Sequence, residues 1–87
     1  IQRTARIVNS KGLHARAAAK LCKVAENFDA GIFISRGELE VSGTSIMGLL
    51  MLAATKETEI HLLATGREAE QAMDVICKLI ADGFDEE

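Results

Sequence analysis

The chain has 87 residues, 48% of them apolar, 26% charged and 3% aromatic, with a net charge of −3. That length predicts one domain, residues 1–87, with enough apolar residues for a compact core. The acidic balance, the lack of any Lys/Arg run and the scarcity of rings argue against nucleic acid or an anionic membrane as partner.

Ile1 to Val8 alternates, with Ile1, Ala5 and Ile7 on one side and Gln2, Thr4 and Arg6 on the other. That period predicts a half-buried strand. Asn9 to Gly12 reads as a loop. From Ala15 to about Asn27 a helix is predicted, with Ala18, Leu21, Cys22, Ala25 and Phe28 at helical spacing. Gly31 to Arg36, a turn at Gly37, and Leu39 to Ser42 form an expected hairpin. Ser45 is the natural N-cap of a short apolar helix over Ile46 to Ala54. Glu59 to Ala64 is the fourth strand, with Ile60, Leu62 and Ala64 on one face. Ala69, Ala72, Met73, Ile76, Cys77 and Ile80 then mark a helix reaching about Asp82.

The order is β-α-β-β-α-β-α. Strands with one apolar and one largely polar face predict an α+β fold, its sheet covered by helices on one side and wet on the other. Cys22 and Cys77 lie on apolar helical stripes without C-x-x-C spacing. They read as buried, reduced thiols of a cytoplasmic protein, with neither a disulfide nor a metal site expected. No apolar run reaches the ~18 residues of a membrane span, and no signal peptide opens the chain. The start at Ile1 reads as a processed or trimmed end, and Asp85-Glu86-Glu87 as a solvated acidic tail.

One stretch stands out: Lys11-Gly12-Leu13-His14-Ala15-Arg16-Ala17-Ala18-Ala19-Lys20. Gly12 lets the backbone turn sharply just before a helix. His14 falls at or beside the N-cap, where unpaired N–H groups and the helix dipole favour anions. The helix start disfavours imidazolium, so a neutral, nucleophilic ring is expected. A phosphoryl group on that ring would meet the N–H groups of Ala15 and Ala17 and the donor fork of Arg16. His61, on the polar face of the fourth strand, has no such company and reads as a surface residue.

Gly12-Leu13-His14-Ala15-Arg16, followed by small residues, closely resembles the active-site signature of HPr. HPr proteins are the histidine phosphocarriers of the phosphoenolpyruvate-dependent phosphotransferase system. The block Ser45-Ile46-Met47-Gly48, the length and the element order resemble the same family across the whole chain. The resemblance implies an open-faced β-sandwich: a four-stranded antiparallel sheet with three helices on one face. It implies that enzyme I phosphorylates His14 on Nδ1 and that the group passes to an enzyme IIA protein. It implies that Ser45 is a substrate of an HPr kinase/phosphorylase. It also implies that Ile46, Met47, Leu50 and Met51 belong to the docking face. The division of that apolar helix between core and surface stays open in the sequence.

Two features qualify the resemblance. Ala17 stands where the family commonly has proline; alanine keeps an N–H that proline would remove. The stretch from Ala64-Thr65-Gly66 to Gly83-Phe84-Asp85-Glu86-Glu87 is similar to the nitrogen-related NPr branch, whereas Ser45-Ile46-Met47-Gly48 is similar to the sugar-transport type. No cofactor is expected, and a monomer is. An enzyme is not expected, because no second acid, base or nucleophile neighbours His14 in sequence. The competing readings are a small ligand-binding regulatory module, in which His14 is only a cap, and a regulator acting through Ser45 alone.

Overall fold

The computed structural model describes residues 1–86. Its elements are β1 (Gln2–Arg6), α1 (Ala15–Glu26), β2 (Gly31–Arg36), β3 (Leu39–Ser42), α2 (Ile46–Met51), β4 (Glu59–Thr65) and α3 (Ala69–Ala81). A tight turn over Gly83–Asp85 follows. The order is the predicted one, but several elements are shorter. β1 lacks Ile1, Ile7 and Val8, and α1 stops at Glu26, leaving Phe28 half-buried beyond its end. α2 stops at Met51 rather than Ala54. The N–H groups of Leu52 and Ala53 bond back to the carbonyls of Leu49 and Leu50, tightening the last turn, and Ala53 then takes φ +51°.

The sheet order is β1-β4-β2-β3, and every neighbouring pair is antiparallel. Leu62 at the centre of β4 stands opposite Arg3 on one side and Ile34 on the other. Strand alternation therefore sends Ile32, Ile34, Ile60, Leu62 and Ala64 to the helix-covered face, where all are buried. The other face is open. His61 sits there exposed, in register with Thr4 and Ser35. That face is less polar than expected, because Phe33 and Leu63 share it.

The helices complete the core. α1 contributes Ala17, Ala18, Leu21, Cys22 and Ala25, and α3 contributes Ala69, Ala72, Met73, Ile76 and Ile80. α2 divides cleanly: Leu49 is buried, while Ile46, Met47, Leu50 and Met51 are exposed, and Leu52 just past the helix end is buried as well. Cys22 is buried as expected, whereas Cys77 is only half-buried. Burial pushes the Cys22 thiol up, and Glu26 adds to the effect. Arg3 interrupts the apolar side of β1. It lies at the sheet's edge and pairs with Asp74 of α3 at 2.8 Å.

The final turn was not foreseen. Gly83 is the left-handed residue that closes α3, at φ +65°. Phe84 and Asp85 remain left-handed, at φ +56° and +61°. Two non-glycine residues in that region cost on the order of 1–3 kcal/mol each. The burial of Phe84, which is 0% exposed, offsets that strain. No helix among the described residues is long and apolar enough to cross a membrane.

Candidate functional site

The loop between β1 and α1 is shaped by Gly12, at φ +67°. A Cβ there would stand 2.5 Å from the carbonyl oxygen of Ala54. The close approach lets the Leu13 N–H donate to that carbonyl at 2.8 Å. Leu13 is buried, so the next residue emerges at the start of the helix. His14 is the N-cap of α1 in an extended conformation, with φ −86° and ψ −176°. Its carbonyl accepts the first helical bond from Ala18 N–H at 2.8 Å. The N–H groups of Ala15, Arg16 and Ala17 thus precede the helical ladder. The imidazole makes no cap bond of its own and keeps 27% of its side-chain surface.

Arg16 is exposed and lines a pocket of about 330 Å³ together with Ser10, Lys11, Lys20, Asp85 and Glu86. Three cations against two carboxylates give this pocket a small positive excess in a molecule whose net charge is −3. The described residues contain no metal-ligating cluster of three or more His, Cys, Asp or Glu.

The solvated-tail reading fails at Glu86. Its Oε2 lies 2.5 Å from His14 Nε2, and its Oε1 accepts from Asn9 Nδ2 at 2.8 Å. The Glu86 side chain is 12% exposed. Burial alone would raise its carboxyl, but hydrogen bonds to His14 and Asn9, with the nearby charges of His14 and Lys11, hold it below the ordinary carboxylate value. Asn9, 1% exposed, also donates from Nδ2 to the Gly12 carbonyl at 2.8 Å. Lys20 Nζ donates to the Phe84 carbonyl at 2.6 Å and secures the turn from the other side. Asp85 is exposed, as expected, and Glu87 lies outside the described residues.

The structure thus gathers His14, Ala15, Arg16 and Ala17 at one helix start and adds Asn9, Lys20 and Glu86, which the sequence reading left out. A signal for them exists. Gly83 follows a helix and precedes Phe84, a large apolar residue ahead of an acidic run. A truly solvated tail has no use for that ring.

Ser45 stands apart from this cluster. It caps α2, its Oγ accepting from Gly48 N–H at 3.0 Å. Its loop is tied to α1 by Cys22 Sγ, which donates to the Thr44 carbonyl at 3.1 Å. Cys22 is eight residues along α1 from His14, or about 12 Å of helix. Ile46, Met47, Leu50 and Met51 lie on the outside of α2, and Met47 is 72% exposed.

Comparison with known proteins places this arrangement. A family model described as "PTS HPr component phosphorylation site" matches residues 1–82. The chain is 46% identical to phosphocarrier protein NPr of Shewanella violacea over 86 residues, covering 99% of this chain and 94% of that protein. It is 43% identical to phosphocarrier protein HPr of Cupriavidus necator over 86 residues, covering 99% and 97%. Its fold superposes on the crystal structure of HPr from Thermoanaerobacter tengcongensis with a TM-score of 0.95, at 33% identity, covering 100% of this chain and 98% of that one. The chain therefore belongs to the HPr family of bacterial phosphotransferase-system phosphocarriers.

Proposed function

We propose that this protein accepts a phosphoryl group from phospho-enzyme I on Nδ1 of His14 and passes it to an enzyme IIA protein. The observation that carries this reading is the position of His14. His14, its imidazole partly exposed, holds the N-cap position of α1 beside the first-turn N–H groups and near Lys11, Arg16 and Lys20. Each charge of the phosphoryl group gains on the order of 0.3–1 kcal/mol from the helix start. That is a weak hold, suited to a group that must leave again. The N–H groups of Ala15 and Ala17 and the Arg16 fork take the phosphate oxygens.

Docking uses the exposed side of α2. Ile46, Met47, Leu50 and Met51 form an apolar surface, and methionine adapts to more than one partner. Ser45 has a second role as the target of an HPr kinase/phosphorylase. Its hydroxyl caps α2, so a phosphate there lies at a helix start that tolerates negative charge, beside the docking residues. The carrier works in the cytoplasm as a monomer. The nitrogen-regulatory branch is favoured by the Gly83-Phe84-Asp85-Glu86 stretch, and presenting the phosphorylated protein to nitrogen-type and sugar-type enzyme IIA proteins separates the branches.

The direct test is incubation with phosphoenolpyruvate and enzyme I, followed by intact mass. One acid-labile phosphate is expected on the wild type and on Ser45→Ala, and none on His14→Ala. A wild-type protein left unmodified by active enzyme I refutes the carrier reading.

A further inference from the structure

A neutral imidazole carries one proton, and either ring nitrogen can hold it. Only the bare nitrogen can attack phosphorus. Around His14 the choice is not left to solvent. An ionised carboxylate accepts hydrogen bonds and cannot donate them, and Glu86 Oε2 stands 2.5 Å from Nε2.

The carboxylate is itself held. Asn9 Nδ2 donates to Glu86 Oε1 and to the Gly12 carbonyl, both at 2.8 Å. Turning the Asn9 amide over would set its oxygen against two acceptors. The orientation kept instead leaves Asn9 Oδ1 buried with no partner among the described residues. A buried acceptor without a partner is an uncommon arrangement that calls for a reason, and aiming Glu86 at the ring supplies one. The buried Phe84 ring and the Lys20 bond to its carbonyl fix the backbone on which Glu86 rides. The family match over residues 1–82 does not extend to this side chain.

We propose that Glu86 is a positioning residue: it holds the proton of His14 on Nε2, leaves Nδ1 as the bare nucleophile, and balances the charge of the phosphorylated ring. The inference rests on the reading that Nδ1 is the acceptor. In the forward step the Nδ1 lone pair forms the N–P bond while the donor takes back the electron pair of its own bond to phosphorus. No proton leaves His14. The ring, still carrying Nε2–H, becomes cationic beside the Glu86 carboxylate. In the onward step the N–P bond breaks, its electrons return to Nδ1, and the ring departs as the same neutral tautomer. Lys11 and Arg16 line the neighbouring pocket and can turn to the phosphate oxygens, while Lys20 holds the Phe84 carbonyl. The logic is that of a carboxylate orienting a histidine in a hydrolase triad.

The test begins on the unphosphorylated protein, with the ¹⁵N shifts and couplings of the His14 ring above its titration range. The Nε2–H form is expected to dominate in wild type, and Glu86→Ala and Glu86→Gln are expected to show a marked share of Nδ1–H. In phosphoryl acceptance from phospho-enzyme I, both variants should lose at least about tenfold in kcat, as when a carboxylate that fixes a histidine tautomer is removed, with KM little changed because the α2 surface is untouched. Dominant Nδ1–H in the wild type, or one tautomer ratio in all three proteins, overturns the proposal. Equal kcat in all three proteins also overturns it. If the wild type takes no phosphate while its tautomer still depends on Glu86, the carrier reading has failed and the positioning of the proton stands alone.

Discussion

Glu86 is pulled two ways. Its burial favours the neutral acid, and its partners favour the anion more strongly. In the unfolded chain this carboxyl would titrate near its ordinary value of about 4.3. In the folded protein it titrates lower, so its contribution to stability is complete above that value. The contribution disappears as pH falls through the folded value, because the unfolded state then binds the proton first. Lys11, Arg16, Lys20 and Asp85 are the charged residues around it, and the His14 ring is its hydrogen-bond partner. Thermal melts of wild type and Glu86→Gln should therefore differ at about pH 7 and converge as pH falls below the ordinary carboxylate range. A gap that stays constant on acidification would show that no charge is at work. At a second residue, Ser45→Ala removes the Oγ that accepts from Gly48 N–H. A loss of about 1 kcal/mol is expected, readable as a lower urea midpoint with an unchanged slope.

Most elements could be read from periodicity, because each buries a single face. The alternation of Ile60, Leu62 and Ala64 and the stripe from Ala69 to Ile80 are local patterns with local meaning. His14 and Arg16 were legible for the same reason: a glycine, a cap position and a helix start are neighbours in sequence. Glu86 was not. Its contact with His14 spans 72 residues and depends on three successive left-handed positions, two of them not glycine. Gly83 and Phe84 hint that the segment packs, but no short-range pattern announces two further left-handed residues after the glycine. The α2 boundary failed on similar grounds, since Leu52 and Ala54 belong to the core without belonging to the helix. Apolar content alone does not distinguish a buried helix turn from a buried loop.

At the scale of the molecule, Gly83 and Phe84, just after α3, are part of the core rather than an appendage. Phe84 is among its largest fully buried side chains. Truncation to alanine is expected to cost about 3–5 kcal/mol, a large share of the ~5–15 kcal/mol available to a domain of this kind. Chemical denaturation of Phe84→Ala measures it; a loss below about 1 kcal/mol would mean that the turn docks only loosely. The same substitution should free Glu86 from the ring, coupling the core to the reactive end of the protein.

Arg3 points to a different kind of selection. β1 is an edge of the sheet, and its outer N–H and C=O groups offer a template for any extended chain. The guanidinium placed on its helix side, paired with Asp74, is a charge that an incoming strand would have to strip of water. A hydrophobic residue there would suit the fold and invite polymerisation. Arg3→Val should melt close to wild type, yet scatter more light as its concentration rises. Under the proposed carrier role the protein meets its partners by diffusion, and this charge on the helix side of β1 works against pairing with further copies along that edge.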